Sequence, residues 1–414
     1  MSEITDMPRS LAVKKSITAA WGPMAPRRHR ANASSHNAFF VASPDDGGCS
    51  SSSPPAVPNL LHRVWIGGCP AVSELVSMLA ATLLLAPDQI VYHVLSTLPS
   101  ECLVQRAALP PLNVSACWAG LGVRFHRINV SDASAPFVRD ALGASMARTL
   151  HDAGRSFSRV ILADFARVYA LLEHGGYYTD SDVFVTSANL TRWRRCPFVM
   201  SGNTGDAYDV AAGERGLRAV EARDGVVGAG TSGLLNCGAL VAAPRTPFGV
   251  AWLHEMRSPL RSGKPRYSGH GWGDVGMALN LCSHWPHTYA EHHPGALLGT
   301  PALRIAPWTL PRCHAWSNTS AGLAAIRKLP QQHRACAATA AEWRAQLDRI
   351  AARDGTHALH FANRGSRSRA QQQTTLQWAL DHAVAQAGGD GALNPGQRGC
   401  VGLAREWLGV SSSV

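Results

Sequence analysis

Patterned sequence begins near residue 59. NLLHRVWIGG, 59–68, is a short apolar run closed by two glycines, which predicts a buried strand. AVSELVSMLAATLLLA, 71–86, is apolar apart from Glu74 and a few hydroxyls and lies between Pro70 and Pro87. It predicts a buried helix, since it is too short to span a bilayer comfortably and carries a carboxylate. QIVYHVLS, 89–96, reads as the next strand, and VRFHRINV, 123–130, alternates like a third. LLNCGALVAA, 234–243, reads as another strand and TPFGVAWLHEM, 246–256, as the helix after it. SGHGWGDVGMALNL, 268–281, is a glycine-rich loop leading into a helix, and THALHFANRGSRS, 356–368, a late strand running into a loop. Strands alternating with helices in this order imply an α/β fold with a mainly parallel sheet.

The best-defined stretch is RVILADFARVYALLEHGGYYTDSDVFV, 159–185. Ile161, Phe165, Val168 and Leu172 repeat with helical spacing, and Asp164 and Arg167 lie three apart on the flank of that stripe. Gly175 and Gly176 end the helix. YYTDSDVFV then reads as a strand whose period of two puts Tyr178, Asp180 and Asp182 on one side.

Composition narrows the classes. The chain has 414 residues, 46% of them hydrophobic, which suffices for a sizeable core. Residues 1–57 are rich in Ser, Ala, Pro and Arg without apolar periodicity and are expected to be a disordered tail or stem. The ordered domain is expected over 58–385, with a peripheral C-terminal tail over 386–414. The net charge of +11 comes from scattered arginines, with four lysines, and not from a basic stripe among aromatics. Nucleic acid is therefore not the expected partner, whereas a phosphate-bearing cofactor suits the basic balance. Ten cysteines include no C-x-x-C pair, so a zinc knuckle is not expected, and disulfides are allowed without being demanded. Asn32, Asn113, Asn129, Asn189 and Asn318 each open N-x-S/T, more than chance supplies, and lean toward a secretory route. The N-terminal residues carry no signal-peptide core and the chain no membrane anchor, so membrane association is expected only through a segment not seen in this sequence.

Two carboxylates at i and i+2 of a strand end converge on one point and suit a hard divalent cation, Mg²⁺ or Mn²⁺. They leave positions for water and a diphosphate, and a metal there neutralises charge on a departing nucleotide. The pair Asp180–Asp182 is common by chance; the helix that delivers Asp164 and Arg167 to it gives it weight. Asp164 and Arg167 read either as a structural ion pair or as a carboxylate and a charged donor for sugar hydroxyls. Trp65, at the end of the first strand, is either core or a platform for a nucleobase. His360 is a possible third metal ligand with Asn363 beside it, against the blander reading of an ordinary histidine. His270, Trp272 and Asp274 belong either to a mobile lid over an acceptor site or to a plain surface loop.

With these residues in view, the chain resembles the D-x-D sugar transferases of glycosyltransferase family 32 type. These include α1,4-galactosyltransferases, yeast-type outer-chain mannosyltransferases and, more distantly, clostridial glucosylating toxins. LHRVWIGG is similar to the opening strand of that family, and ADFARVYALLEHGGYYTDSDVFV to its central motif. LLNCGALVAAPRTPF, YSGHGWGDVGMALNL, PALRIAPWTL and HALHFANRGS resemble later motifs, most of them those of the α1,4-galactosyltransferase and α1,4-N-acetylglucosaminyltransferase branch. The likeness runs over about residues 59–385. It implies a GT-A, Rossmann-like fold and a retaining, metal-dependent transfer of a hexose from a nucleotide-diphosphate sugar. The donor is expected to be a UDP-sugar rather than a GDP-sugar, with UDP-galactose first, and the acceptor a glycan, glycolipid or glycoprotein. It implies that Asp180 and Asp182 hold Mn²⁺ or Mg²⁺, with Asp182 the more direct ligand. Asp164 and Arg167 contact the donor sugar, Trp65 stacks on the base and Asn236 lies near the transferred sugar. His360 and Asn363 close over the diphosphate. The Golgi or another secretory lumen is the implied location.

The chain departs from the family in two places. Ala163 stands where a serine usual in the family precedes Asp164, and GWGDVG replaces the Gly-Pro loop where acceptor preference is written. The likeness therefore does not carry the acceptor over. An aspartyl-phosphate phosphatase also places D-x-D at a strand end. It needs Thr or Val where Phe184 stands, a downstream lysine, for which only Lys264 and Lys328 remain, and a late acidic pair that is absent. A catalytically silent nucleotide-sugar- or glycan-binding protein on the same fold is the alternative function.

Overall fold

The computed structural model describes residues 57–66, 72–94, 103–106, 109–130, 132, 134–143, 156–202, 235–261, 286, 289, 298–300, 340–352, 358–360 and 369–409. The expected stem, 1–57, lies outside them except for Val57, as does the expected lid with His270, Trp272 and Asp274. Asn363 lies outside them too.

The central sheet has seven strands in the order β10-β8-β9-β6-β1-β2-β5. They are β1 (Leu60–Trp65), β2 (Gln89–Val94), β5 (Val123–Arg127), β6 (Gly176–Thr179), β8 (Phe198–Gly202), β9 (Leu235–Ala242) and β10 (Leu298–Thr300). β5, β2, β1 and β6 pair in parallel, as do β8 and β10, and β9 runs against both of its neighbours. A two-stranded antiparallel pair joins β7 (Val183–Val185) to β11 (Ala358–His360), and another joins β3 (Leu103–Arg106) to β4 (Leu109–Asn113). The helices are α1 (Val72–Leu85), α2 (Val114–Gly120), α3 (Ser156–His174), α4 (Pro247–Arg261), α5 (Ala340–Ala351), α6 (Arg369–Gln386) and α7 (Pro395–Leu408). The result is the expected α/β architecture with a mostly parallel sheet.

α1 is buried along nearly its whole length, Glu74 and Ser77 included. It connects β1 to β2 and packs against β7, α6 and α7. Phe165 and Val168 of α3 are buried as their helical spacing predicts. Gly175 ends that helix by donating its N–H to Leu171 O at 2.8 Å. Its φ is +66°, and a Cβ there would meet Pro244, Pro58 and Ala242 O at 2.7–2.9 Å. Gly176 has φ +114°, and a Cβ there would stand 2.5 Å from Leu60 O. The glycine pair therefore reverses the chain and lets β6 lie directly against β1.

Three histidines form a chain across the parallel strands. His62 Nδ1 lies 3.0 Å from His93 Nε2, and His93 Nδ1 lies 2.9 Å from His126 Nδ1. The other nitrogen of His62, Nε2, stands 2.8 Å from Gly175 O. A carbonyl only accepts, so His62 donates from Nε2 and its Nδ1 accepts from His93; His93 in turn accepts from His126. One acceptor thus fixes three neutral tautomers.

Two expectations are corrected. YYTDSDVFV is not one strand: β6 stops at Thr179, and β7 starts at Val183 in a different sheet. The chain must turn there to leave the seven-stranded sheet and pair with β11, so Asp180 and Asp182 sit on a turn and not on one strand face. The segment after 385, expected as a peripheral tail, holds α7, whose Cys400, Val401, Ala404 and Leu408 are buried in the core. Glycines misled the sequence reading, because α7 uses them for close packing: a Cβ on Gly396 would stand 2.1 Å from Gly120 O of α2. Cys117 and Cys400 form a disulfide with Cα atoms 5.0 Å apart.

Candidate functional site

Because β1, β2, β5 and β6 run in parallel, their C-terminal ends share one edge of the sheet, where ligands of open α/β folds lie. Trp65 ends β1 there, half-buried and packed against the core. β6 is parallel to β1, with His62 level with Tyr178, and delivers Asp180 to the same edge. Asp180 N–H donates to Gly238 O of β9 at 2.8 Å, and Val183 N–H donates to Asp180 O at 3.0 Å. The second bond closes a four-residue turn over Asp180–Ser181–Asp182–Val183. D-x-D therefore occupies positions i and i+2 of a hydrogen-bonded turn.

Arg167 organises the acidic groups. It donates from Nη2 to Asp164 Oδ1 at 2.6 Å and from Nη1 to Cys237 O at 2.9 Å. Nη1 also lies 3.2 Å from Asp180 Oδ1 and 3.3 Å from Asp180 Oδ2. The guanidinium sits over the Tyr178 ring, 4.9 Å from its centroid, and Tyr178 donates its hydroxyl to Asp180 Oδ1 at 2.6 Å. Burial opposes the charge of Arg167, but Asp180, Tyr178 and Asp164 outweigh it and hold the guanidinium protonated. Burial pushes the Asp164 carboxyl up to about 6, with Arg167 pulling it back and Asp180 adding to the rise. Arg167 Nε is buried and has no hydrogen-bond partner among the described residues. A buried charged donor without an acceptor is rare and calls for an explanation, of which a bound oxygen is one.

The structure brings Trp65, Asp164, Arg167, Asp180 and Asp182 to one edge. His360 joins them through its backbone: β11 pairs with β7 so that His360 is opposite Val183, next to Asp182. The His360 side chain lies outside the described residues, as does that of Asn236. The backbone of Asn236 lies in β9 beside Cys237, whose carbonyl accepts from Arg167.

The donor set fits a hard divalent cation. Asp180 and Asp182 bring carboxylates to one turn, the ligand type such a cation prefers, although both oxygens of Asp180 already contact Arg167 or Tyr178. No group of three or more His, Cys, Asp or Glu side chains forms a ready metal cage among the described residues.

Four residues at the site were not singled out from sequence. Tyr178 orients Asp180, and Arg63, Glu74 and Ser77 hold the turn from the core side. The signal for two of them was present: an arginine inside the apolar run LLHRVW and a glutamate inside the apolar run of α1. Opposite charges in two adjacent apolar elements are each other's natural partner.

Residues 132–195 match the glycosyltransferase sugar-binding region containing a DXD motif. The matched stretch holds Asp164, Arg167, Asp180 and Asp182, the carboxylates and guanidinium gathered at the sheet edge. No curated protein matches the chain. Among solved structures, the galactosyltransferase LgtC in complex with donor and acceptor sugar analogues is 14% identical, with a TM-score of 0.37. That match covers 77% of this chain and 95% of LgtC. The PaToxG glycosyltransferase is 11% identical with a TM-score of 0.35, covering 58% of this chain and 71% of that one. Likeness at these TM-scores carries no argument about the chemistry of this chain.

Proposed function

We propose that this chain is a retaining, metal-dependent hexosyltransferase of GT-A type, using a nucleotide-diphosphate sugar and a glycan, glycolipid or glycoprotein acceptor. The observation that carries the reading is the contact of Arg167 with both Asp164 and Asp180 while its Nε is left without a partner. Arg167 holds two carboxylates, and in this reading its Nε–H is left for an oxygen of the donor.

In this reading Asp180 and Asp182 hold the cation, with His360 across the β7–β11 pair from them and Asn363 following it. A bound Mn²⁺ or Mg²⁺ would neutralise the negative charge that gathers on the departing diphosphate. Arg167 fixes Asp164 and Asp180 and donates Nε–H to a donor oxygen. Ionised Asp164 accepts from a hydroxyl of the donor sugar, Trp65 stacks on the base, and Asn236 lies near the transferred sugar. The bond from the anomeric carbon to the diphosphate oxygen breaks with its electron pair going to phosphate. The acceptor oxygen bonds to that carbon on the same face, and its proton passes to the departing phosphate. UDP-galactose is the first donor to try, on the strength of the late motifs. His270, Trp272 and Asp274 are proposed to close over the acceptor.

The secretory lumen fits the exposed Asn129 and Asn189 of two sequons and the disulfide-bonded state of Cys117, Cys196, Cys237 and Cys400. No helix among the described residues is long and apolar enough to cross a membrane. One observation favours the second reading, a silent nucleotide-sugar- or glycan-binding protein: both oxygens of Asp180 are already engaged within the chain.

A panel of UDP- and GDP-sugars, with and without Mn²⁺, separates the two by nucleotide release. The expected outcome is metal-dependent release from one UDP-hexose, reduced at least about 100-fold by Asp182→Asn. Binding without release from any donor, or full activity in Asp182→Asn, refutes the transferase reading.

A further inference from the structure

The cluster beneath the D-x-D turn has no part in the chemistry above. Arg63 of β1 and Glu74 of α1 are each 1% exposed and form a two-pronged ion pair, Nε to Oε1 at 3.1 Å and Nη2 to Oε2 at 2.9 Å. Arg63 Nη2 also donates to Ser77 Oγ at 2.9 Å. A buried pair of this kind is weak evidence for stability, because apolar residues of like volume often serve as well. What this pair grips matters more. Arg63 Nη1 donates to Asp180 O at 3.2 Å and to Thr179 Oγ1. Ser77 Oγ donates to Val183 O at 2.5 Å and lies 3.3 Å from Asp180 O. The carbonyls of the first and last residues of the turn are thus both held from the core, while its first N–H is held by Gly238 O.

The geometry of the clamp requires arginine. The guanidinium sends separate N–H groups to Glu74, Ser77, Thr179 and Asp180 in one plane, which a lysine ammonium on a flexible stem does not reproduce. Glu74 sets the plane of the fork by engaging two of its nitrogens. Burial opposes the charge of Arg63, but Glu74 beside it outweighs that and keeps the fork charged.

We propose that Arg63, Glu74 and Ser77 are positioning residues that fix the Asp180–Val183 turn, so that Asp180 and Asp182 meet a divalent cation in one preset arrangement. This rests on the reading of those aspartates as the metal pair. Groups that orient metal ligands without touching the metal typically govern about 10- to 100-fold in affinity.

The test is Mn²⁺ binding by the full chain, read as free Mn²⁺ by electron paramagnetic resonance, beside thermal melting and donor turnover. Three variants are compared: Ser77→Ala, Arg63→Lys, and the double Arg63→Met with Glu74→Leu, which replaces the pair by apolar volume. Mn²⁺ affinity is expected to fall about 10-fold or more in the double variant and in Arg63→Lys. Ser77→Ala is expected to lower it several-fold with little change in Tm. Wild-type Mn²⁺ affinity in a folded double variant and in Ser77→Ala overturns the clamp and leaves the transferase reading standing. If the double variant does not fold, Ser77→Ala decides alone, because it removes one hydroxyl and leaves the ion pair. A wild-type chain that binds no Mn²⁺ and releases no nucleotide overturns both.

Discussion

Asp164 shows what one residue contributes. It is buried enough for its carboxyl to be pushed up to about 6, yet its partner Arg167 is shared with Asp180. Its folded value lies above the ordinary carboxylate value. Its contribution to stability is therefore full below that ordinary value and is lost as pH rises through about 6. Its proposed role on a sugar hydroxyl runs the other way, since only the ionised form accepts without also donating. Donor turnover is therefore expected to fall as pH is lowered through about 6, and Asp164→Asn to leave a weak activity without that limb. A pH–rate profile of both proteins decides it, and an unchanged acid limb in Asp164→Asn refutes the assignment. The Asp164–Arg167 spacing was readable because it follows from helix geometry alone. Tyr178 was expected beside Asp180 on one strand face; the structure instead joins them by a hydrogen bond from the end of β6 to the turn. Arg63 and Glu74 each stood out as a charge inside an apolar run, but that they grip the Asp180–Val183 turn was not readable, since nothing local joins them to it.

At the level of elements, the strands and helices between 59 and 94 were legible from apolar runs, and so was α3. The break between β6 and β7 was not, because alternation continues through YYTDSDVFV and the turn is made by tertiary bonds to Gly238 and Arg63. The histidine chain over β1, β2 and β5 is also a product of pairing. His62 is depressed to about 4 by burial, with His174 and His126 adding to the fall. His93 lies well below its ordinary value and His126 and His174 below theirs, each mainly through burial. The folded values lie below the unfolded one of about 6.5, so stability is full above that value and is lost as pH falls from about 6.5 toward 4. Each of the buried His62 and His93 adds a slope of up to about 1.4 kcal/mol per pH unit in that window, and the exposed His126 adds less. Denaturant unfolding at pH 7, 6 and 5 is expected to show this loss, and His93→Gln to flatten it. An equal slope in the two proteins refutes the histidine origin.

For the whole molecule, the last helix closes what the first strands open. α7 packs on α1 and α2, and its Cys400 is bonded to Cys117 across a separation of 283 residues. Closing so long a loop restricts the unfolded chain, and the loss of such a bond typically costs about 2–5 kcal/mol. Cys117→Ser with Cys400→Ser is expected to lower the unfolding free energy by that amount, read as a lower denaturant midpoint, while Mn²⁺ affinity is kept; an unchanged midpoint would show that the disulfide adds nothing. The sequence by itself determined the α/β class, the α3–glycine–D-x-D unit and the chemistry that the two aspartates favour. All of these rest on periodicity, backbone freedom and side-chain type, which are local properties. Tertiary structure decided that D-x-D lies on a turn and that Asp180 is shared between Arg167 and Tyr178. It also decided that a buried ion pair grips the turn and that the C-terminal helix belongs to the core. Each of these depends on groups brought together from distant parts of the chain, where burial makes an unpaired charge or carbonyl costly and so dictates the partner.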